Sequence, residues 1–324
     1  RFLVTGGAGF IGSHLVESLL DEGHHVAVID DLSTGSLDNL APLQDGAAGD
    51  RLSVTVDSIA NEDLLARLVG ESETVVHLAA VVGVRLVLQS PVQTITTNVG
   101  GTEALLRAAW RHGVKTCLAS TSEVYGKGVR VPFAEDDDVV LGPTSRSRWS
   151  YAASKMVDEF LGLAYQAQYG LPVVVFRLFN TVGPRQTGSY GMVVPNFVQA
   201  ALEGRPLQVY GDGSQTRCFC HVADAVRAIR TLIDAPAAEG QVFNVGSTDE
   251  ISILALAQRV VALLDSQSEI RLVPYEQAYR AGFEDMARRV PDTTRIREAT
   301  GWHPTRTLDE IILDVADSLR RPRP

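Results

Sequence analysis

Tyr151 and Lys155 are the two side chains of this sequence best suited to move a proton during catalysis. They stand four residues apart in Tyr-Ala-Ala-Ser-Lys, at the start of a stretch with helical periodicity, so they share one helix face. A lysine ammonium beside a phenol lowers the pKa of the phenol, and the phenolate takes the proton of a hydroxyl group as hydride leaves the same carbon. Thr121 follows a predicted strand and is expected to share that proton with Tyr151.

A hydride needs an acceptor, and the first twelve residues predict where one binds. A short apolar run is followed by Gly6, Gly9 and Gly12, and then by helical periodicity from residue 13 to residue 20. Glycines in such a turn let the backbone approach a pyrophosphate, and the helix N-terminus faces its negative charge. The pattern indicates a nicotinamide dinucleotide, which makes the chain a redox enzyme even if its net reaction is not a redox one.

The end of the second predicted strand indicates which dinucleotide is bound. Residues 25–29 are apolar or aromatic, and Asp30 and Asp31 follow them. An acid at this place binds the adenosine ribose hydroxyls and repels a 2′-phosphate, which favours NAD over NADP. An ordinary strand-end turn is the alternative interpretation of Asp30, and the preceding glycines make it the weaker one.

Composition limits the class of protein. The chain has 324 residues, of which 45% are hydrophobic and 21% charged, as is typical of a soluble globular enzyme with one large domain or two closely joined ones. A net charge of −10 argues against nucleic acid or an anionic membrane as partner, and an anionic substrate would need local arginines. The sequence shows no metal-ligand cluster and no apolar run long enough to span a bilayer. The number and spacing of its three cysteines indicate reduced thiols, so we expect a cytoplasmic location.

Strands and helices alternate in the first half, which predicts a doubly wound parallel (Rossmann) sheet of the α/β class. The strands are predicted at 2–4, 26–29, 53–56, 74–77, 116–119 and 173–176, and the helices at 11–21, 61–68, 92–111 and 152–169. Later helices are predicted at 195–202, 222–234, 253–264 and 308–319. We expect residues 1–179 to bind the cofactor, with a return segment near 218–248, and residues 180–324 to form a smaller C-terminal α/β region that binds the substrate.

These residues resemble the extended short-chain dehydrogenase/reductase family. The matching positions are the glycine pattern, Asp30, Asp57, His77-Leu78-Ala79-Ala80, Asn98, Thr121, the Tyr151/Lys155 pair and Phe179-Asn180. The resemblance runs from Arg1 to about Trp302, nearly the whole chain. Within the family, the chain is similar to nucleotide-sugar epimerases, dehydratases and decarboxylases. The resemblance implies NAD held permanently and recycled in each turnover, and a homodimer joined through the helices predicted at 92–111 and 152–169.

The resemblance also implies a set of site residues. Those implied for the cofactor are Gly6, Gly9, Phe10, Ile11, Gly12, Asp30, Asp31, Ser33, Thr34, Gly35, Asp57, Ser58, Leu78, Ala79, Ala80, Val82, Asn98, Tyr151 and Lys155. Those implied for a UDP-sugar are Asn180, Arg217, Arg289 and Asp292 at the diphosphate and ribose, and Val193, Gln208 and Tyr210 at the uracil and ribose. Ser122 and Thr181 are candidates for a hexuronate carboxylate, with Arg185 shaping the pocket.

Which reaction follows depends on the residues after Thr121. Dehydratases of the family carry Asp-Glu there, whereas this chain has Ser122-Glu123, so dehydration is not expected. Thr-Ser-Glu resembles UDP-glucuronate decarboxylases and some UDP-glucuronate 4-epimerases. Tyr-Ala-Ala-Ser-Lys resembles the epimerases instead, and residues 81–89 stand where the decarboxylases have a proline-rich loop. Glu123 either takes part in the chemistry or bonds the adjacent loop, and both interpretations stay open.

We therefore expect NAD-dependent epimerisation at C4 of UDP-glucuronate to UDP-galacturonate through a 4-keto sugar. The alternatives are a UDP-glucuronate decarboxylase, a UDP-glucose 4-epimerase and a non-catalytic NAD-bound sensor on the same fold. Sensors of this kind typically lose the tyrosine or the lysine, and both are present here.

Overall fold

Six strands between residues 2 and 178 and a seventh at residues 241–245 form a parallel sheet in the computed structural model, which describes residues 1–81, 90–128, 130–188, 192–274 and 288–320. The strands are β1 (Phe2–Thr5), β2 (Val26–Asp30), β3 (Leu52–Val56), β4 (Thr74–His77), β5 (Lys115–Thr121), β6 (Val173–Leu178), β7 (Thr181–Val182), β8 (Leu207–Tyr210), β9 (Thr216–Cys218), β10 (Cys220–His221), β11 (Gln241–Val245), β12 (Glu250–Ser252) and β13 (Ile270–Val273). The sheet order is β11-β6-β5-β4-β1-β2-β3, which confirms the doubly wound α/β prediction.

Helices cover both faces of this sheet. The described helices of the whole chain are α1 (Phe10–Asp21), α2 (Ala41–Gln44), α3 (Glu62–Gly70), α4 (Pro91–His112), α5 (Trp149–Tyr169), α6 (Val193–Leu202), α7 (Val222–Asp234), α8 (Ile253–Leu263), α9 (Thr294–Thr300) and α10 (Leu308–Arg320). One core cluster packs α1 and α7 on the sheet, and a second packs α3 and α4 on the other face. Burial on both faces explains why the strands are continuous apolar runs without polar alternation. No described helix has the length and apolarity that a membrane crossing requires.

The strand order reverses between β1 and β4, and this reversal defines the ligand edge. In doubly wound sheets the crevice outside the carboxyl ends of the strands, at the reversal point, is where ligands bind. Thr5, Asp30, His77 and Thr121 are the last residues of β1, β2, β4 and β5. The candidate residues of the sequence therefore come from separate strands to one edge.

A buried ion pair sets the register of α5 against the sheet. Arg177 of β6 donates from Nε and Nη2 to the two carboxylate oxygens of Glu159, at 2.9 and 2.7 Å, and Ser120 of β5 donates to the same carboxylate. Lys155 and Tyr151 lie one and two turns before Glu159 on the same face. The pair thus orients both toward the end of β5.

The second half adds a smaller unit around a third core cluster. It packs α6, α8 and α10 against the pair β8 and β13 and the pair β9 and β12. The four predicted later helices are confirmed to within two residues, and β11 lies inside the segment 218–248 expected to return to the first sheet. The short strands β7 to β10, β12 and β13, and helix α9, were not predicted, because runs of two to seven residues carry too little periodicity.

Candidate active site

The glycine turn after β1 is built so tightly that two of its positions tolerate no side chain. Gly6 has a φ of +71°, and a Cβ there would lie 2.8 Å from the backbone nitrogen of Ala79. A Cβ on Gly12 would lie 2.1 Å from the carbonyl oxygen of Gly6. The turn therefore brings the N-terminus of α1 against the loop after β4 and leaves a cradle that fits a pyrophosphate.

Asp30 holds this turn through both of its carboxylate oxygens. Oδ2 accepts from the backbone N–H of Ala8 and Oδ1 from that of Leu32, each at 2.9 Å, and the residue is 7% exposed. Burial raises the pKa of Asp30 above its ordinary value. Each oxygen keeps a second lone pair for a ribose hydroxyl. The other cofactor candidates here begin α1 or follow β2, and they are Phe10, Ile11, Asp31, Ser33, Thr34 and Gly35.

The remaining cofactor candidates line the same edge. Asp57 follows β3 and accepts from Ser58 N at 2.7 Å and from Asn61 Nδ2 at 3.0 Å, so both serine and aspartate shape the turn before α3. Asn98 of α4 accepts from Val81 N at 2.8 Å and donates to Ser154 Oγ at 3.1 Å. Through Asn98 the loop carrying Leu78, Ala79 and Ala80 is tied to the catalytic helix. Val82 lies outside the described residues.

The structure brings Thr121 and Tyr151 together. Thr121 is one of the groups that lower the pKa of the Tyr151 phenol, so the two side chains lie near each other, and Thr121 Oγ1 accepts from the backbone N–H of Glu123 at 3.2 Å. A hydroxyl that accepts from Glu123 still has its own hydrogen to donate to a phenolate. This placement agrees with the predicted sharing of a proton.

Lys155 does not act on Tyr151 in the way that the sequence suggested. Its Nζ lies 2.7 Å from Asp158 Oδ2, and the two residues are only 3% and 1% exposed. Burial, and then the charge of Glu123, raise the pKa of Tyr151 above its ordinary value, with Asp158 adding to the rise and the Thr121 hydrogen bond opposing it. Lys155 is not among the groups that set this pKa in the structure, because its ammonium is paired with Asp158. The acid three residues after the lysine was the overlooked signal.

Glu123 lies among arginines at the end of β5. Its Oε1 is 2.7 Å from Arg289 Nη2, and its Oε2 is 3.4 Å from Arg148 Nη2. Burial alone would raise the pKa of Glu123, but Arg289, Arg148 and Arg217 outweigh it and hold the pKa below its ordinary value. Three guanidinium groups against one carboxylate leave an excess of two positive charges in a chain of net charge −10.

The three arginines come from distant parts of the chain. Arg148 precedes α5 and lies over the ring of Trp149 at 4.9 Å, Arg217 is on β9, and Arg289 precedes a segment that pairs with Phe133. Arg217 and Arg289 were predicted from the resemblance. Arg148 was missed, because nothing in a polar loop of two arginines and two serines distinguishes it before the fold is known.

The other substrate candidates are on several separate elements. Ser122 is 1% exposed beside Glu123, and Asn180 donates to Cys218 O at 2.9 Å next to Thr181 of β7. Val193 begins α6, while Gln208 and Tyr210 are on β8. Asp292 Oδ1 accepts from Thr294 N at 2.8 Å near the start of α9.

Arg185 lies apart from the Glu123 cluster. Its Nη2 is 2.6 Å from Glu17 Oε2 on α1, so its charge is already paired at the cofactor side. The structure therefore does not bring it together with Ser122 as part of a carboxylate pocket. Within the described part of the chain, no group of three metal-ligating side chains occurs.

Comparisons with known proteins agree with this geometry. A sequence profile described as GDP-mannose 4,6 dehydratase matches residues 3–315. A UDP-N-acetyl-alpha-D-glucosaminuronate decarboxylase of Bacillus cytotoxicus is 44% identical over 305 residues, 94% of this chain and 92% of the relative. UDP-glucuronic acid decarboxylase 1 of Danio rerio is 36% identical over 310 residues, 96% of this chain and 70% of the relative.

A solved structure adds a different activity to the comparison. It is a UDP-glucuronic acid 4-epimerase from Bacillus cereus, in complex with UDP-glucuronic acid and NAD. The two folds superimpose with a TM-score of 0.87 at 27% identity, over 98% of each chain. The similar proteins thus include both decarboxylases and an epimerase.

Proposed function

This chain belongs to the GDP-mannose 4,6-dehydratase family of extended short-chain dehydrogenases/reductases, and on that premise we propose that it is an NAD-dependent decarboxylase of a UDP-hexuronate. The expected C4 epimerisation is not confirmed, and the decarboxylase alternative is better supported, since the two relatives above are decarboxylases. The more similar of them is named for the N-acetylated sugar, so we place UDP-N-acetylglucosaminuronate before UDP-glucuronate as substrate.

The observation that carries the proposal is the ion pair between Glu123 and Arg289, flanked by Arg148 and Arg217. A UDP-hexuronate brings a diphosphate and a carboxylate, and guanidinium groups bind both through charge-assisted, paired hydrogen bonds. The excess positive charge lies next to Thr121 and Tyr151, where the sugar would react. The chain as a whole has a net charge of −10 and does not attract an anionic substrate, so the attraction is local to these arginines.

The cofactor site fits NAD. The cradle at Gly6 and Gly12 would hold its pyrophosphate, Asp30 its adenosine ribose, and Lys155 its second ribose. NAD, when bound, accepts the hydride of the sugar C4 and returns it at the end of the turnover.

Tyr151 supplies the acid–base chemistry. Its phenolate removes the proton of the 4-hydroxyl, assisted by the Thr121 hydroxyl, and the product is a 4-keto hexuronate. This sugar is a β-keto acid, so its bond from C5 to the carboxylate carbon breaks without further activation. Carbon dioxide leaves, the electron pair passes to the C4 oxygen as an enolate, and Tyr151 and Thr121 hydrogen-bond that oxygen. C5 then takes a proton, and C4 is reduced to give a UDP-pentose.

Epimerisation remains a second candidate, on two observations. The Tyr-Ala-Ala-Ser-Lys motif resembles the epimerases, and the fold matches an epimerase structure closely. Against it, an epimerase must hold the carboxylate away from alignment with the C4 carbonyl. Arg185, which was predicted to shape the pocket around that carboxylate, pairs instead with Glu17.

An NMR time course separates the two candidates. Protein as purified is incubated without added NAD in D₂O, with UDP-N-acetylglucosaminuronate or UDP-glucuronate labelled with ¹³C at the carboxylate. We expect labelled carbon dioxide and bicarbonate, and a UDP-pentose with one deuterium at C5, because C5 is protonated from solvent after the bond breaks. UDP-glucose, which lacks the carboxylate, serves as the control and is expected to stay unchanged.

Other products would contradict the proposal in distinct ways. A UDP-galacturonate or its acetamido analogue, with C5 undeuterated and the label retained, would establish the epimerase. Faster turnover of UDP-glucose would indicate a neutral-sugar epimerase. No turnover of any of these, with added NAD as well, would contradict both.

We also propose a homodimer joined through α4 and α5. These two helices pack together and expose large apolar side chains on their outer faces. The exposed residues and their fractions are Val92 75%, Ile95 45%, Trp110 45%, Val157 37%, Phe160 65% and Tyr169 53%. Apolar patches of this kind on one face mark interfaces.

The division near residue 179 and a cytoplasmic location also stay predictions, the latter supported by three buried free cysteines.

The dimer has a direct test in Phe160→Glu. A charge placed at the most exposed apolar residue of α5 is expected to weaken association at least about 30-fold, as loss of an interface hot spot does, and to halve the mass measured by light scattering. Leu313→Glu is the matched control, since Leu313 is 40% exposed on α10, and it should leave the mass unchanged. A wild-type protein that is monomeric at every concentration measured would contradict the proposal.

A further inference from the structure

Asn244 is a fully buried amide at a place where three parts of the chain meet. It is on β11, beside Arg177 of β6, and it is 0% exposed. Its Oδ1 accepts from the hydroxyl of Tyr125 at 2.7 Å, and its Nδ2 donates to the backbone carbonyls of Phe133 at 2.9 Å and of Asp292 at 3.1 Å. The side chain therefore uses its acceptor and both of its donors.

The partners of Asn244 determine which way its amide faces. A carbonyl oxygen only accepts, so the NH₂ group must face Phe133 O and Asp292 O. The amide oxygen then faces Tyr125, whose phenol donates to it. Exchanging the two amide atoms would place an oxygen against two carbonyl oxygens, so a single arrangement satisfies all three groups.

One partner of Asn244 belongs to the segment that carries Arg289. Phe133 N donates to Val290 O, and Asp292 N donates to Phe133 O, each at 2.8 Å. The Asn244 amide adds a third bond to this short segment, at Asp292 O. Arg289 comes directly before Val290, so its backbone position is set by bonds that involve no ligand.

The other partner of Asn244 belongs to the turn that carries Glu123. Tyr125 is two residues after Glu123, in the turn that follows β5, and it is 0% exposed. Its ring stacks on that of Phe133, with centroids 4.7 Å apart. Asn244 thus bonds both of the segments that bring Glu123 and Arg289 together.

Arg289 keeps a donor for a ligand. Its Nη2 lies 2.7 Å from Glu123 Oε1, while its Nε is buried and has no hydrogen-bond partner among the described residues. A buried N–H without a partner is unfavourable, and an oxygen of the diphosphate that the resemblance places at Arg289 would satisfy it. Such a bond forms only if the guanidinium is held within hydrogen-bond distance of the anion.

We propose that Asn244 is a positioning residue for substrate binding, which holds Arg289 beside Glu123 so that the guanidinium is ordered before the UDP-sugar arrives. The inference rests on the proposed role of Arg289 in binding the UDP-hexuronate, and it holds for decarboxylation and epimerisation alike. An arginine that is already ordered loses little side-chain entropy on binding, which increases the affinity.

The test is Asn244→Asp, read as the affinity of the purified protein for UDP by titration calorimetry. Aspartate keeps the shape of the side chain and the acceptor for Tyr125, but its carboxylate offers no N–H to the two carbonyls. We expect the dissociation constant of UDP to rise about tenfold, because Arg289 is then ordered only on binding. At saturating UDP-hexuronate, kcat should stay within about threefold, so that the loss lies in KM.

Val242→Ala is the matched control for loss of stability. Val242 is two residues before Asn244 on β11, is 8% exposed and packs in the second core cluster. Shortening it destabilises the fold without removing a hydrogen bond of Asn244. We expect the dissociation constant of UDP to stay within about twofold of wild type in this variant. Equal losses of affinity in the two variants would overturn the inference, since stability alone would explain them.

A double-mutant cycle separates the positioning of Arg289 from a general effect. If Asn244 acts through Arg289, Asn244→Asp should cost no further UDP affinity in an Arg289→Met background. An equal loss in both backgrounds would overturn the inference and leave the proposed function untouched. Wild-type UDP affinity in the Arg289→Met protein would instead contradict the proposed role of Arg289 itself, so the two failures are distinguishable.

Tyr125→Phe keeps the inference testable if Asn244→Asp does not fold. It retains the ring that stacks on Phe133 and removes only the hydroxyl that donates to Asn244. We expect UDP affinity to fall by about two- to tenfold, the range for one neutral hydrogen bond, with no further fall in the Arg289→Met background. Wild-type UDP affinity in folded Tyr125→Phe protein would overturn the inference.

Discussion

Tyr151→Phe is expected to lower turnover of the UDP-hexuronate by about 10²- to 10⁴-fold, the typical contribution of one positioned acid–base group. The phenylalanine keeps the ring in its place on α5 and removes only the hydroxyl that Thr121 contacts. Binding of UDP and of NAD should therefore change little. The measurement is the rate of labelled carbon dioxide release at saturating substrate, with UDP affinity measured separately.

Tyr169→Phe is the matched control for this result. It removes only a phenol hydroxyl from the far end of the same helix and keeps the ring that the proposed dimer face presents, so the rate should stay within about twofold. A Tyr151→Phe protein that turns over at the wild-type rate would contradict the mechanism for decarboxylase and epimerase alike, since both begin with removal of the 4-hydroxyl proton.

The pH dependence has a definite sign. Tyr151 must lose its proton to act as base, and burial together with Glu123 holds its pKa above the ordinary value. Below that pKa the phenolate fraction rises tenfold for each pH unit, so kcat should increase toward alkaline pH when proton removal limits the rate. Tyr151→Phe should abolish that rise.

Arg289→Met carries the second large effect. It leaves Glu123 partly buried with Arg148 as its remaining partner at 3.4 Å, and it removes one of the two excess positive charges. Truncating one member of a desolvated ion pair at a binding site costs about 2–5 kcal/mol, so kcat/KM for the uronate should fall by about 30- to 4,000-fold. Methionine retains most of the length and apolar volume of the side chain.

The neighbouring residue supplies the control. Arg288 pairs with Glu250 at 2.7 Å, and their side chains are 55% and 25% exposed. Exposed pairs contribute little, about 0–1 kcal/mol, so Arg288→Met should leave kcat/KM within about fivefold of wild type. Equal losses from the two arginine variants would show that the effect is general destabilisation of the segment.

A double-mutant cycle then assigns the loss to the ion pair. If Glu123 and Arg289 act together, Glu123→Gln and Arg289→Met combined should cost less than the sum of the single changes. Additive losses would mean that Arg289 and Glu123 act independently, and would contradict a role for their ion pair. The measured quantity is kcat/KM for release of labelled carbon dioxide.

Local patterns sufficed to predict the cofactor half of the molecule. The glycine spacing predicted a turn in which Gly6 and Gly12 leave no room for a side chain, and the strand-end position predicted that Asp30 lies at the same edge. Alternating strands and helices predicted the sheet. All of this follows from periodicity and backbone sterics, which act between residues close in sequence.

The same reasoning placed Tyr151 and Lys155 on one helix face but misjudged their chemistry. Whether an ammonium lowers the pKa of a phenol depends on what else is near the ammonium. In the folded protein the ammonium of Lys155 is buried and pairs with Asp158. The acid was visible in the sequence. Its buried position, which makes the pairing strong, was not.

Only the tertiary structure decided how the arginines are shared. Arg289 and Arg148 converge on Glu123, while Arg185 pairs with Glu17. The resemblance implied Arg289 for the substrate, but nothing near the three arginines in the sequence indicates which carboxylate each one meets. Arginines are long, flexible and normally solvated, so their partners are chosen by which carboxylates the fold brings within reach. The chain's local patterns therefore determined the sheet, the cofactor turn and the acid–base pair, and the packing of distant segments determined which charges meet the sugar.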